Sequence, residues 1–207
     1  MADTKITGLT AGAVPDGTEI TNVVQGGNPV QMPLTMLRSQ MSAVSVASQS
    51  PAAASTTYLT NSSITVPVSK LRIGTYFKWR VIMTKTGAGT LASSFLVKGG
   101  TLGTTGDTTL GTHSIGAGTA VADTAWVDIV ATIRGPLSSS GIIQSSMTMQ
   151  HSLQNTGFSV LPTIVTTATS ASFDVTTANL IIGLAWTAGT SQAATMVQVI
   201  AEAVNVG

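Results

Sequence analysis

Two histidines are the residues of this sequence whose chemistry is most versatile. His113 lies in a Gly- and Thr-rich stretch near Asp107, and His151 ends a predicted strand. A metal site needs several His or carboxylate side chains gathered in one place. Neither histidine has such neighbours along the chain, so both are interpreted as surface or capping residues. No metal ion and no cofactor is expected.

Carboxylate pairs are the second candidates, because glycoside hydrolysis uses two carboxyl groups at a set separation. The available pairs are Asp107 with Asp123 and Asp123 with Asp128, among only eight acidic residues. No Gly-x-Ser-x-Gly elbow marks a nucleophilic serine. The run from Gly99 to Gly103 lacks the lysine of a phosphate-binding loop. The sequence therefore predicts no catalytic residue and no enzymatic activity.

Large aromatic side chains are the third candidates. Phe77, Trp79, Trp126 and Trp186 fall on alternating faces of predicted strands, which predicts that they fill a core. The alternative is that one tryptophan lines a sugar-binding groove or a contact between subunits, since an indole is both apolar and able to donate a hydrogen bond.

The composition restricts the partners of the protein. Charged residues make up 8% of the 207 residues, against about a quarter in a typical soluble domain. Charge depletion is typical of the buried centres of interfaces, so a homo-oligomer is expected. The net charge is +1, and Lys78 and Arg80 belong to no larger basic cluster, so no nucleic-acid partner is expected. No apolar run approaches the ~20 residues of a membrane helix, so no membrane contact is expected.

Cysteine is absent, which excludes disulfides and thiolate metal sites. The first residues, Met-Ala-Asp-Thr-Lys-Ile, lack the basic segment and apolar core of a secretory signal. Synthesis in a cytoplasm is therefore expected.

Residues 58–207 are predicted to form an all-β domain, because apolar and polar residues alternate along many short runs. The predicted strands are 63–67, 75–85, 90–98, 125–134, 142–151, 160–166, 170–175, 180–186 and 193–206. Residues 99–119 are predicted to be a loop. The last two strands, joined by a turn-like spacer, are predicted to form an antiparallel hairpin covered on both faces. The pattern favours a jelly-roll-like β-sandwich.

The N-terminal part is different in character. Short strands are predicted at 19–24 and 30–34, joined by a turn at Gly26, Gly27 and Asn28. A short helix is predicted over 36–43, with Thr35 as its N-cap. Residues 44–57 are rich in Ser and Ala and predict a linker. The predicted organisation is a hairpin and short-helix extension over 1–43, this linker, and the sandwich over 58–207.

The order of short motifs in the first 40 residues resembles the N-terminal attachment segment of tailed-bacteriophage virion proteins, such as head fibres, tail fibres and tailspikes. The motifs are Lys5-Ile6-Thr7-Gly8-Leu9, Gly17-Thr18-Glu19-Ile20, Val23-Val24-Gln25-Gly26-Gly27 and Gln31-Met32-Pro33-Leu34-Thr35-Met36-Leu37. The proline that usually follows the isoleucine of the second motif is replaced here by Thr21.

This resemblance implies a structural protein of a phage particle, assembled in the host cytoplasm and located on the virion. It implies docking to capsid or tail proteins through residues 1–43, a homotrimer, and a projecting sandwich that either binds a host-surface glycan or decorates and reinforces the shell. The residues expected to dock are Ile6, Leu9, Ile20, Val23, Val24, Met32, Leu34 and Leu37. The alternative from a different functional class is a carbohydrate-binding or glycan-cleaving β-sandwich module.

Overall fold

The computed structural model describes residues 20–25, 28–33, 40–176, 178–191 and 194–206. These ranges contain thirteen strands and one 3-10 helix, Val68–Lys70. The chain divides into two compact units, Met1–Arg38 and Ser39–Gly207. Within the described ranges, no helix has the length and hydrophobicity needed to cross a membrane.

The first unit contains an antiparallel hairpin. Strands β1 (Ile20–Gln25) and β2 (Asn28–Pro33) pair with Val23 opposite Val30, and they form a two-stranded sheet of their own. The predicted hairpin is confirmed. Four of the expected docking residues lie on it, namely Ile20, Val23, Val24 and Met32. The other four, Ile6, Leu9, Leu34 and Leu37, lie outside the described residues.

The second unit is a sandwich of two antiparallel sheets, which confirms the predicted all-β, jelly-roll-like β-sandwich. Its strands are β3 (Gln40–Ser45), β4 (Thr56–Tyr58), β5 (Ile64–Val66), β6 (Tyr76–Lys85), β7 (Ser93–Gly100), β8 (Thr108–Gly116), β9 (Asp123–Ile133), β10 (Ile143–His151), β11 (Thr163–Thr169), β12 (Leu180–Thr187) and β13 (Ala194–Val204). One sheet has the order β11-β10-β9-β6-β13-β3, and the other has the order β4-β12-β7-β8 with β5 also paired to β12.

The core lies between the two sheets and follows from the alternation of side chains along each strand. On β6 the odd-numbered residues from Phe77 to Met83 are fully buried, and on β9 the odd-numbered residues from Ala125 to Ile133 are buried. On the facing sheet, Phe95 and Trp186 meet edge to face with their ring centres 4.7 Å apart. The even-numbered residues of β6 and β9 form the solvent side of the six-stranded sheet.

The end of the predicted helix and the predicted linker require correction. Residues 40–45 form strand β3, which pairs with β13 so that Val44 lies opposite Ile200. Residues 36–39 lie outside the described residues. A helix of two turns is only marginally stable alone, whereas the edge of β13 offers a ladder of backbone hydrogen bonds. Strand pairing therefore determines the conformation of this segment.

The sandwich unit also begins earlier than the predicted position 58. It starts at Ser39, and Gln49 exchanges two backbone hydrogen bonds with Met196. Strand β4 lies within the predicted linker for most of its length and pairs with β12. Residues 44–57 therefore belong to the sandwich. Their composition does not indicate this, because backbone pairing does not require apolar side chains.

Three strand predictions also require correction. Strands β12 and β13 do not form a hairpin, since β12 pairs with β7 in one sheet and β13 pairs with β6 in the other. The predicted loop 99–119 contains strand β8. The predicted strand 170–175 is reduced to a single bridge between Phe173 and Gly141. The first error concerns which sheet a strand joins, a choice that is made by tertiary contacts.

Candidate binding cleft on the outer sheet face

An open cleft of about 650 Å³ lies on the solvent side of the six-stranded sheet. Its centre is a row of side chains in register across three strands, with Ile82 opposite Trp126 and Trp126 opposite Gln150. Its lining residues are Arg80, Ile82, Thr124, Ala125, Trp126, Gln150, His151 and Ser152. The cleft therefore combines an apolar floor with polar groups around it.

Trp126 distinguishes this cleft from the core. Trp79 and Trp186 are 0% and 1% exposed, whereas Trp126 is 39% exposed. Trp79 also donates its indole N–H to the carbonyl of Ser62 at 2.7 Å. Of the aromatic residues considered from the sequence, Phe77, Trp79 and Trp186 belong to the core as expected, and Trp126 matches the stated alternative of an aromatic residue in a groove.

Arg80 fixes one side of the cleft. Its Nε and Nη2 atoms donate to the two carboxylate oxygens of Asp128, each at 2.9 Å. The guanidinium carbon lies 5.6 Å from the centre of the Trp126 ring, within cation–π range. The hydrogen bonds from Arg80 to Asp128 and the negative charge of this carboxylate raise the pKa of Arg80 further. The positive charge of Arg80 is thus balanced by Asp128, and the guanidinium is held against the indole.

Asp123 and His151 support the other side. Asp123 accepts hydrogen bonds from Thr124 N, Phe158 N, Ser152 Oγ and His151 Nδ1 at 2.7–3.0 Å. Burial alone raises the pKa of Asp123, but these hydrogen bonds together hold it below its usual value. His151 Nε2 also lies 2.7 Å from the carbonyl of Leu161. The pair therefore connects the sheet to the loop 152–162.

The carboxylates considered for glycoside cleavage are all engaged. Asp123 is held by the four donors above, and Asp128 by Arg80. Asp107 accepts from the backbone N–H groups of Leu102, Gly103 and Thr104 at 2.7–3.2 Å, which closes the turn after β7. Each carboxylate thus has a structural role in a different part of the sandwich.

His113 is buried rather than exposed, which corrects its interpretation as a surface or capping residue. Its Nδ1 lies 2.8 Å from Thr166 Oγ1 and its Nε2 lies 3.0 Å from Ser145 Oγ. It therefore links β8 of one sheet to β10 and β11 of the other, and burial lowers its pKa. Among the described residues, no three His or acidic side chains lie close enough to hold a metal ion.

The cleft lies at the end of the sandwich where several loops meet. Gly118 N donates to the carbonyl of Thr90 at 3.0 Å, and the hydroxyls of Thr119 and Thr156 are 2.6 Å apart. These contacts join the loops 86–92, 117–122 and 152–162. The chain enters the sandwich at the opposite end, where Gln40 pairs with Val204.

The sequence contains one signal that marks Trp126 as exposed. Trp126 shares its face of strand β9 with Thr124 and Asp128, whereas the opposite face carries Val127 and Ile129. The face with the charge is the one directed to solvent, so an indole on that face is a candidate for binding. Gln150 and Arg80 could be added to the site only once the register of β6, β9 and β10 was known.

The sequence matches no protein-family model and no curated protein. Among solved structures it is similar to the CBM2 module of the evolved Dit of Lactobacillus casei BL23 phage J-1, with 12% identity over 70% of this chain and 69% of that chain and a TM-score of 0.31. It is also similar to the VP2 subviral particle of infectious bursal disease virus, with 12% identity over 87% of this chain and 44% of that chain and a TM-score of 0.25. A third similarity is to fructofuranosidase from Schwanniomyces occidentalis, with 11% identity over 90% of this chain and 39% of that chain and a TM-score of 0.21. At these values the likenesses assign neither a family nor a function.

Proposed function

We propose that this chain is a structural protein of a phage particle. The N-terminal unit docks on the capsid or tail, and the sandwich projects outward and contacts the host surface. The sandwich is a short fibre, spike or decoration domain. The protein is located on the virion, and its partners are other particle proteins and further copies of this chain.

The observation that carries the proposal is the separate two-stranded sheet of β1 and β2. A lone two-stranded hairpin is marginally stable in water, and these strands join neither sheet of the sandwich. A hairpin that forms a sheet of its own is suited to being completed by another protein. It coincides with the motifs that resemble phage attachment segments, and it carries four of the expected docking residues.

Self-association is part of the proposal, with three copies as the expected number. Strand β3 is an edge of the six-stranded sheet, and edges of this kind pair readily with other chains. Val44 and Val46 are 47% and 80% exposed beside this edge, together with Val197 on β13. Exposed apolar side chains at an edge that pairs with no further described strand favour contact with a second copy.

The test is incorporation into particles. Cells producing the phage would supply the full chain, a deletion of residues 1–38, or the single variants Val24→Asp and Asn22→Ser. Purified particles would be probed for the protein. We expect the deletion and Val24→Asp to reduce incorporation at least tenfold, because a charge cannot be buried cheaply at a docking surface. Asn22→Ser, on the same strand but polar and uncharged before and after the change, serves as the matched control.

Light scattering on the isolated, purified full chain and on its Val44→Asp variant tests self-association. We expect the full chain to have the mass of a homotrimer and Val44→Asp to lower it. Full incorporation of the deletion variant would contradict the docking role, and a monomeric full chain would contradict the trimer.

A further inference from the structure

We propose that the cleft around Trp126 binds a neutral saccharide, with one sugar ring stacked on the indole. The biological role of this site, contact with a host glycan, rests on the proposed function. The binding chemistry itself needs only the sandwich unit.

Stacking is the first element of the proposed site. The face of an indole ring carries negative charge density, which attracts the weakly positive C–H groups on one side of a pyranose ring. Trp126 presents such a surface on β9, and Ile82 directly opposite on β6 is 40% exposed. The row from Ile82 through Trp126 and Gln150 to Thr163 crosses four strands, a span of roughly 14 Å at the usual strand spacing. The row of side chains is therefore longer than a single sugar ring.

Polar groups beside the indole are the second element. Gln150 is exposed next to Trp126 and Thr124 is exposed on the same strand. Neither side chain makes a hydrogen bond with another described residue, so the amide and the hydroxyl are available. A glutamine amide both donates and accepts, which suits the hydroxyl groups of a sugar. Ser152 adds a third polar group to the lining.

Charge balance identifies a neutral ligand. Arg80 lines the cleft, and the Nε and Nη2 atoms of its guanidinium both donate hydrogen bonds to Asp128. Lys78 does not line the cleft, and in the strand register it lies opposite the acidic residue Glu202. A phosphate backbone or an acidic glycan requires cations that are not already paired. The arrangement therefore favours a neutral hexose oligomer over nucleic acid or an anionic polysaccharide.

Rigid support is the third element, since binding is stronger when the site is held in place beforehand. Arg80 and Asp128 hold the indole from one side. Asp123 accepts hydrogen bonds from the hydroxyl of Ser152 and the imidazole of His151, and His151 also contacts the carbonyl of Leu161. These bonds hold the loop 152–162 at the rim of the cleft. The side chains around the cleft are thus anchored by contacts that leave its opening free.

The experiment uses the full chain and a printed panel of oligosaccharides. The neutral members are glucan, mannan and galactan oligomers, and the anionic members are oligogalacturonate and sialylated oligosaccharides. The strongest neutral binder would then be titrated while tryptophan fluorescence is recorded. Because Trp79 and Trp186 are fully buried, a change in emission or in iodide quenching reports on Trp126.

We expect at least one neutral oligomer to bind and to protect Trp126 from iodide. Trp126→Ala should weaken binding at least tenfold, Gln150→Ala severalfold, and Trp126→Phe less than Trp126→Ala. Tyr76→Ala is the matched control, since Tyr76 is an aromatic residue on the same face of β6 but six positions from Ile82. Circular dichroism would verify that each variant is folded.

Three results would overturn the proposal. They are binding to anionic oligomers alone or to no oligomer, unchanged binding in Trp126→Ala, and dissociation of an oligomer by Trp126→Ala, which would identify a second copy as the occupant of the cleft. Failure of the particle-docking proposal is distinguishable, because it would appear as full incorporation of the chain that lacks residues 1–38 while sugar binding persists.

Discussion

At the scale of single residues, Asp123, His151 and Ser152 have the composition of a catalytic triad but a different geometry. In a triad the serine hydroxyl bonds to the histidine, which is oriented by the aspartate. Here Ser152 donates to Asp123, and the second nitrogen of His151 faces the carbonyl of Leu161. His151 therefore has no free nitrogen to activate a nucleophile. These residues position the loop beside the cleft.

This role predicts a large loss of stability in Asp123→Asn. An asparagine cannot accept from all four donors that now converge on the carboxylate, and a buried donor left without an acceptor costs about 1–3 kcal/mol. Asp128→Asn on the same strand is the control, because Asp128 forms a partly exposed ion pair with Arg80 worth about 1 kcal/mol or less. Urea unfolding of both variants measures the difference. Equal losses would contradict the structural role of Asp123.

His113 predicts a pH dependence of stability. Burial lowers its pKa below the ordinary value of 6.5, so the folded state favours the neutral ring. The unfolded chain binds the proton more readily, and the stability that His113 contributes is present above pH 6.5 and is lost as the pH falls below it. The measurement is the free energy of unfolding between pH 8 and pH 5 for the native chain and for His113→Gln.

The difference between these two curves isolates His113 from the other titrating groups. We expect the advantage of the native chain over His113→Gln to shrink as the pH falls. If the variant does not fold, the imidazole can be titrated directly by NMR in the native chain, where a pKa at or above 6.5 would contradict the prediction.

At the scale of elements, the sequence predicts strands well where apolar and polar residues alternate strongly. For this reason the predicted bounds of β6, β9 and β10 lie within two residues of the observed ones. Strand β8 was missed because its inward side includes Gly111 and His113, so the usual apolar alternation is interrupted. Gly111 is required there, since a Cβ atom would collide with Ser145 Oγ of the facing sheet.

Strand pairing was less predictable than strand position. The short spacer between β12 and β13 is compatible with a hairpin in one sheet and with a crossing between two sheets. The alternation of apolar residues is identical in the two arrangements, because it records burial and not the hydrogen-bonding partner. The same limit applies to the cleft, whose residues come together only through the register of three strands.

Strand β3 leads to a prediction about truncation. Deletion of residues 1–38 should leave the stability of the sandwich unchanged, whereas deletion of residues 1–45 removes β3 and its six residue pairs with β13. Cross-strand pairs contribute a few tenths of a kcal/mol each, about 2 kcal/mol together. The expected fall in Tm is roughly 4–8 °C. Calorimetry of the two truncated chains measures it, and equal Tm values would contradict the assignment of β3 to the sandwich.

At the scale of the whole molecule, the two ends of the sandwich have different characters. One end receives the chain at Gln40 and holds the end of β13. The other end gathers the loops 86–92, 117–122 and 152–162 and lies beside the cleft. We expect the loop end to face the surroundings and the end near Gln40 to face the particle, because the chain continues from the proposed docking segment into the sandwich at Gln40.

This polarity predicts which positions can be labelled on assembled particles. Ile73 lies next to the start of β6, near the end that receives the chain, and is 61% exposed. Leu161 lies in the loop 152–162 at the opposite end and is 60% exposed. The chain contains no cysteine, so Ile73→Cys and Leu161→Cys each introduce a single reactive thiol at equally exposed sites.

In the isolated protein both cysteines should react with a large polyethylene-glycol maleimide at similar rates, because their exposures match. On particles, the Leu161→Cys protein should keep its rate, while the Ile73→Cys protein should react at least tenfold more slowly because the particle surface shields it. The isolated proteins control for local differences in thiol reactivity. Equal protection at both positions, or protection of Leu161→Cys alone, would show that the sandwich does not project with its loop end outward.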